Sequence, residues 1–233
     1  MQKKTYDQFF EALGQRESSG NYEVINPIGY LGKYQMGKLA LIDAGYYKND
    51  GTKSNKFLDK NWTGKDGIRS KEEFLKNPKA QENAVRIHMS VQWKYVLNKD
   101  LDRYMETKAQ GYLVTISGAL AGIHLVGIRS LELFLKNGVI KSDGNEVAIT
   151  TYIQEFAGYE TPFKRRKKLT GLQKDNKGKT IQYQLDYSEW VPREVAIIMA
   201  QNMEIDATIV ITKTGNCFLK TPPDSTIKNN LTA

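Results

Sequence analysis

An amphipathic helix that runs out into Ser-Ser-Gly-Asn, with a glycine-punctuated turn behind it, constrains this chain more than any other stretch. Thr5 followed by Gln8 is a capping-box pair, and Asp7 sits favourably in the first turn. Tyr6, Phe9, Phe10 and Leu13 then recur at helical spacing, which predicts a helix from Thr5 to about Arg16 with one apolar stripe. Glu17 falls seven residues after Phe10 and four after Leu13, so the same period carries its carboxylate onto the buried face. Partial desolvation there raises a carboxyl pKa and keeps the proton available near neutral pH, as a general acid requires. The competing reading is a solvated Glu at a fraying helix end, the ordinary fate of an acidic residue.

The length of 233 residues accommodates one sizeable domain with a smaller second one. Hydrophobic residues make up 40% of the chain, enough for a packed core, so wholesale disorder is excluded. A formal charge of +8 suits an anionic polymer: nucleic acid, an acidic membrane surface or cell wall. Cys217 is the single cysteine, and His88 and His124 are the only histidines. No intrachain disulfide and no ordinary zinc site can be built from that set, and neither metal nor cofactor is expected. The first residues lack the apolar core of a secretory signal, and no run reaches membrane-spanning length.

Between Asn21 and Gly37 the chain is turn-rich, with Pro27, Gly29 and Gly32. A short helix is expected over Lys38–Ala44, then a long polar loop from Tyr46 to Ser70 that overhangs a cleft. After a brief helix at Lys71–Lys76, Asn77-Pro78 opens a longer one striped by Ala80, Ala84, Ile87, Val91 and Tyr95. His88 lies beside that stripe and reads as structural. Thr115–Gly127 is dense in Gly and Ala, which asks for a close packing partner, either the Glu17 helix or a sugar. Ser130–Asn137 predicts a helix closed by Gly138, and Asp143 to Glu146 a capping box opening a helix to about Ala157.

Glu17-Ser18-Ser19-Gly20-Asn21, followed by Gly29 and Gly32-Lys33-Tyr34-Gln35, resembles two motifs of the lytic transglycosylases and goose-type lysozymes of the lysozyme-like superfamily. Ile123 to Gly127 stands where the family carries a third, small and glycine-ended motif. Tyr152 stands where a late-helix tyrosine hydrogen-bonds the catalytic Glu. The resemblance covers residues 5–160. It implies a mainly α (α+β) fold: a lysozyme-like catalytic domain over 1–160, with a small β or irregular lobe. It further implies cleavage of the MurNAc–GlcNAc β-1,4 bond of peptidoglycan glycan strands. Glu17 and Tyr152 are the catalytic residues so implied, and Ser18, Ser19, Tyr34, Gln35 and His124 the substrate-binding ones. A lytic transglycosylase needs one carboxylate. A hydrolytic muramidase, or a chitinase-like glycosidase, takes Glu23 or Asp43 as its second.

Residues 161–233 form a basic extension or small subdomain, with the run Lys164-Arg165-Arg166-Lys167-Lys168 read as a solvated cationic face able to hold anionic wall polymer. A strand over Lys179–Tyr187, a helix over Pro192–Met203 and a strand over Ala207–Thr212 are expected within it. A non-enzymatic basic module built on that run is the contrasting class, but no nucleic-acid-binding motif accompanies it and no nucleic-acid partner is expected. The expected protein is a monomer made in the cytoplasm without a Sec signal. It acts in the periplasm or wall after dedicated export or lysis, with a secretion carrier or immunity protein as a further partner.

Overall fold

A computed structural model describes residues 4–222. The chain divides into two compact units, Met1–Lys164 and Arg165–Ala233.

In the first unit, α1 (Tyr6–Ser18) starts on the full Thr5/Gln8 capping box and buries Phe9, Phe10 and Leu13. Phe9 meets the Phe156 ring edge-on at 5.8 Å and Phe10 meets Tyr34 at 6.1 Å, so aromatic packing fixes how the helix lies. The 21–37 segment is irregular, held by bridges between Ile25 and Leu31 and between Leu31 and Met36. It leads into α2 (Lys38–Asp43).

The stretch from Tyr46 to Ser70 is irregular, with 3₁₀ turns at Asp59–Asn61 and Lys65–Gly67, but it is packed into the core. Tyr46, Tyr47, Trp62 and Ile68 are buried, and Tyr47 and Trp62 stack edge-on at 5.6 Å. Asp50 is tied to the Lys38 ammonium at 2.6 Å and Asp66 to the Tyr46 hydroxyl. Polar composition concealed a segment whose few aromatics all point inward.

After α3 (Lys71–Leu75), Asn77 caps α4 (Pro78–Asn98), accepting the Ala80 N–H at 3.0 Å. The buried face of α4 is Ala80, Gln81, Ala84, Val85, His88, Met89, Gln92, Trp93 and Val96. Tyr95, placed on the stripe by sequence, is exposed. Three buried polar residues with distant partners break the apolar pattern, so the stripe read from hydrophobicity is rotated.

A hairpin of β1 (Thr107–Ala109) and β2 (Tyr112–Val114) precedes α5 (Ile116–Val126), α6 (Ile128–Asn137) and α7 (Ile149–Glu155). The small residues of α5 serve α7 rather than α1. A Cβ on Gly118 would lie 2.3 Å from the Ile153 carbonyl oxygen, and one on Gly122 would lie 2.9 Å from Ile149 Cγ1. Asp143 does not open α7 either. Its Oδ1 accepts the Asn145 and Val147 N–H groups, closing a turn before a helix that begins six residues later.

The second unit corrects the expectation of a mainly helical chain. About 42% of the chain is helical and 20% strand, and a four-stranded mixed sheet curls into a half-barrel. Its strands are β3 (Lys167–Lys174), β4 (Thr180–Leu185), β5 (Glu189–Pro192) and, after α8 (Arg193–Gln201), β6 (Ile205–Asp206). The order is β5-β4-β3-β6, with β6 parallel to β3 and the other pairs antiparallel. A hairpin of β7 (Thr208–Ile211) and β8 (Cys217–Lys220) follows. Leu169, Tyr183, Leu185, Val191, Ala196, Ile205 and Leu219 form its core.

The basic run is the entry to β3, and three of its five cations are paired with acids while Lys164 and Lys168 stay exposed. Arg165 pairs with Asp186 at 3.4 Å, Arg166 with Asp206 at 3.5 Å, and Lys167 with Glu189. Charge had masked the strand, and a register shift between Leu169 and Gly171 interrupts the alternation that would have revealed it.

Candidate active site

Glu17 occupies the last turn of α1 and is half-buried. Its Oε1 accepts the Tyr152 hydroxyl at 2.8 Å, across 135 residues of sequence. Burial pushes the Glu17 carboxyl up to about 7. The Tyr152 hydrogen bond and the Arg16 guanidinium pull it down, while the charges of Asp143 and Glu155 push it further up. Desolvation therefore dominates, and the group divides between acid and carboxylate near neutrality, where one residue can both give and take a proton. Burial, then the Glu17 charge, holds the Tyr152 phenol above its ordinary range, so it remains a donor. Arg16 lies 5.6 Å over the Tyr152 ring and 3.6 Å from Glu155, which keeps its cation beside the pair.

The placement of Tyr152 follows from α5. Two glycines let α7 sit against the α5 backbone, and that contact sets where the α7 side chains end.

Ser18 and Ser19 anchor the helix end, Ser18 by its hydroxyl and Ser19 by its backbone. Ser18 Oγ donates to the Lys33 carbonyl at 2.8 Å, latching α1 to the glycine turn. Ser19 is the left-handed cap, φ 55°, and its N–H returns to the Gln15 carbonyl. Tyr34 is fully buried and its hydroxyl donates to Glu82 Oε1 at 2.7 Å, so it packs under the turn and presents nothing to a glycan. Gln35 is half-buried with φ 45°, and its Nε2 donates to the Gly32 carbonyl at 2.8 Å. Of the residues expected to bind substrate, Ser19 keeps its exposed hydroxyl and Gln35 its amide oxygen with no partner among the described residues.

His124 supports that turn from below. Its Nε2 lies 2.9 Å from the Tyr34 carbonyl, an acceptor, so Nε2 carries the proton. Burial, reinforced by His88, depresses its pKa to about 4 and keeps the ring neutral. Asp43 is committed to α4: it accepts Gln92 Nε2 at 2.9 Å and the Tyr95 hydroxyl at 3.2 Å, and lies 3.2 Å from His88 Nδ1. Glu23 is exposed in the 21–37 segment. The acidic neighbour that sequence reasoning missed is Asp143, whose Asp-Gly-Asn context is a turn signal that was read as a helix cap.

A second feature carried no local signal. Lys33 is buried, and its Nζ donates to Glu11 and Glu82, each at 2.9 Å, and to the Tyr22 hydroxyl at 3.2 Å. Gln81 accepts the Lys33 N–H at 2.9 Å. A Cβ on Gly32, which has φ +69°, would lie 2.0 Å from Gln81 Oε1, so the turn requires glycine at that position. This network clamps the turn that receives Ser18 and His124. Among the described residues, no group of three or more His, Cys, Asp or Glu side chains is placed to hold a metal.

Comparison with known families places one match on this chain. Residues 166–233 match the model of a family described as a protein of unknown function (DUF3892), which lies within the second unit and leaves Glu17 outside it. Comparisons with curated proteins and with solved structures found no match.

Proposed function

We propose that the first unit cleaves the MurNAc–GlcNAc β-1,4 bond of peptidoglycan as a lytic transglycosylase, with Glu17 as its acid and base. The observation that carries this reading is a Glu at a helix end, in a Glu-Ser-Ser-Gly-Asn context, with its carboxyl pushed up to about 7 and held by Tyr152. Glu17 gives its proton to the glycosidic oxygen as the C1–O bond breaks. The resulting carboxylate takes the proton of the muramyl C6 hydroxyl, whose oxygen closes on C1 to leave a 1,6-anhydro end. The sugar's own acetamido group steadies the cationic centre between the two steps, so one protein carboxylate suffices. Tyr152 holds Glu17 in position through both steps, and Gln35 offers its amide oxygen to the glycan.

A hydrolytic outcome has one observation in its favour. Asp143 lies close enough for its charge to act on Glu17, and its Oδ1 accepts two backbone N–H groups that fix its position. Such a carboxylate suits activation of a water. A nucleic-acid module has less to rest on, since three of the run's five cations, Arg165, Arg166 and Lys167, are each paired with an acid.

The test is digestion of purified sacculi by the protein and by Glu17→Gln, with mass analysis of the released muropeptides. Products lighter by one water than hydrolytic ones, reduced at least about a hundredfold in the variant, are expected. Reducing ends instead would make Asp143 the second carboxylate. No release by the wild type would overturn the reading.

A further inference from the structure

The outward face of the second unit's sheet carries a row of side chains that its own core does not use. On β4, Tyr183 and Leu185 point into the core, so Gln182 and Gln184 point away from it. Cross-strand pairing sets Trp190 opposite Gln184 and Pro192 opposite Gln182 on one side, with Gly171 and Gln173 opposite the same two glutamines on the other. Trp190 is 46% exposed, whereas Trp62 and Trp93 are 5% and 6% exposed. Gln184 lies across Gly171, where a Cβ would come within 3.0 Å of its Oε1, and its Nε2 donates to the Tyr187 carbonyl at 3.1 Å. The amides of Gln173 and Gln182 have no side-chain partner among the described residues.

Tyr187 supplies a second, independent observation. The β4–β5 turn is closed by the Ser188 N–H on the Leu185 carbonyl at 3.1 Å, with Asp186 at φ 46° and Tyr187 at φ 64°. Such a turn ordinarily takes Asn or Asp followed by Gly. Here a bulky side chain holds the left-handed position while 78% exposed, so its ring repays the strain with no packing of its own.

Gly171, Gln173, Gln182, Gln184, Trp190 and Pro192 are all uncharged, and exposed Lys168, opposite Asp186, and Lys174, opposite Thr180, stand at the two ends of the row. Asp186, beside Tyr187, is paired with Arg165, and Glu189, beside Trp190, is paired with Lys167. A nucleic-acid platform would need a row of cations interleaved with its stacking groups, which these six positions do not supply. An uncharged sugar chain needs the opposite: aromatic faces for its C–H surfaces, and neutral amides that both donate to and accept from hydroxyl and acetamido groups.

We propose that this sheet face, with Trp190 and Tyr187 as stacking groups and Gln173 and Gln182 as hydrogen-bonding groups, binds chains of N-acetylated amino sugars. The site does not use Glu17 and operates whether or not the first unit cleaves. It holds the protein on an insoluble glycan.

The experiment uses the full chain carrying Glu17→Gln, so that retention is read apart from cleavage and either reading can fail alone. Titration with the β-1,4 tetramer of N-acetylglucosamine is expected to change Trp190 emission saturably, with no loss of binding between low and high salt. In the same background, Trp190→Ala is expected to lower retention on insoluble peptidoglycan about tenfold. Tyr187→Gly separates binding from folding: it relieves the left-handed strain, so the protein melts at a higher temperature while being retained several-fold less. Unchanged retention in both variants would overturn the proposal. So would a Trp190 response to a single-stranded oligonucleotide that fades with salt and is absent with the sugar, or a dimer in solution that buries Trp190.

Discussion

Glu17 is pulled in two directions by neighbours that can be removed one at a time. Tyr152 stabilises the carboxylate by hydrogen bonding, and Asp143 destabilises it by repulsion. If Glu17 is the general acid proposed above, it must enter the reaction protonated, so the rate is expected to fall as pH rises through about 7. Tyr152→Phe removes a contact that favours the charged form, so the pKa rises and this limb moves to higher pH. Asp143→Asn removes a repulsion, so the pKa falls and the limb moves to lower pH. Shifts of about half to one pH unit are expected, measurable as rate profiles on sacculi suspensions across pH 5 to 9. Tyr152→Phe also slows the plateau rate by about tenfold or more through lost orientation of Glu17. Displacement of both profiles in one direction would show that these two residues do not act on a titrating Glu17. The Glu17 helix was legible because its cap and stripe are local. Asp143 was not, because a turn and a helix cap use the same residue types.

The helices that present the pair are held by a contact only glycine allows. At Gly118 a methyl group would meet the Ile153 backbone oxygen, which cannot rotate away, so α5 and α7 must separate. Gly118→Ala is expected to destabilise the protein by about 2–3 kcal/mol in urea unfolding. It should also lower activity beyond the loss of folded protein, since α7 carries Tyr152. Gly144 has open space around an added Cβ and no left-handed φ, so Gly144→Ala should change neither measurement. Equal behaviour of the two variants would remove the close α5–α7 contact from the account. The glycine density of α5 was visible in the sequence, but the expected partner was α1 or a sugar rather than α7, because composition reports that something approaches and not what. The same limit misplaced the α4 stripe. Gln81, His88 and Gln92 face inward because Lys33, His124 and Asp43 meet them from other elements, and no window along α4 contains those partners. Strand β3 was lost for a related reason: Arg165, Arg166 and Lys167 look solvated until Asp186, Asp206 and Glu189 are brought beside them by folding.

The two units bury separate hydrophobic clusters of very different size. The first gathers residues from Phe9 to Phe156, among them Trp62 and Trp93. The second rests on seven buried side chains, from Leu169 to Leu219, around a short sheet and one helix. Small domains bury a smaller fraction of their surface and are correspondingly marginal, so the second unit should melt first. The tryptophans make this measurable, because Trp62 and Trp93 report the first unit and Trp190 the second. Fluorescence-monitored melting of the full chain should give two transitions, and the lower should vanish in Trp190→Phe. Circular dichroism of that variant should still show both, because the substitution silences a probe without removing a core residue. Non-coincident probes would establish that the chain does not unfold as a two-state unit. A single transition shared by all three tryptophans and by circular dichroism would instead mean that the units fold as one cooperative body. In that case substitutions on the sheet face would be felt at Glu17 as losses of stability. The sugar-binding and cleavage readings would then have to be tested at temperatures well below that common transition.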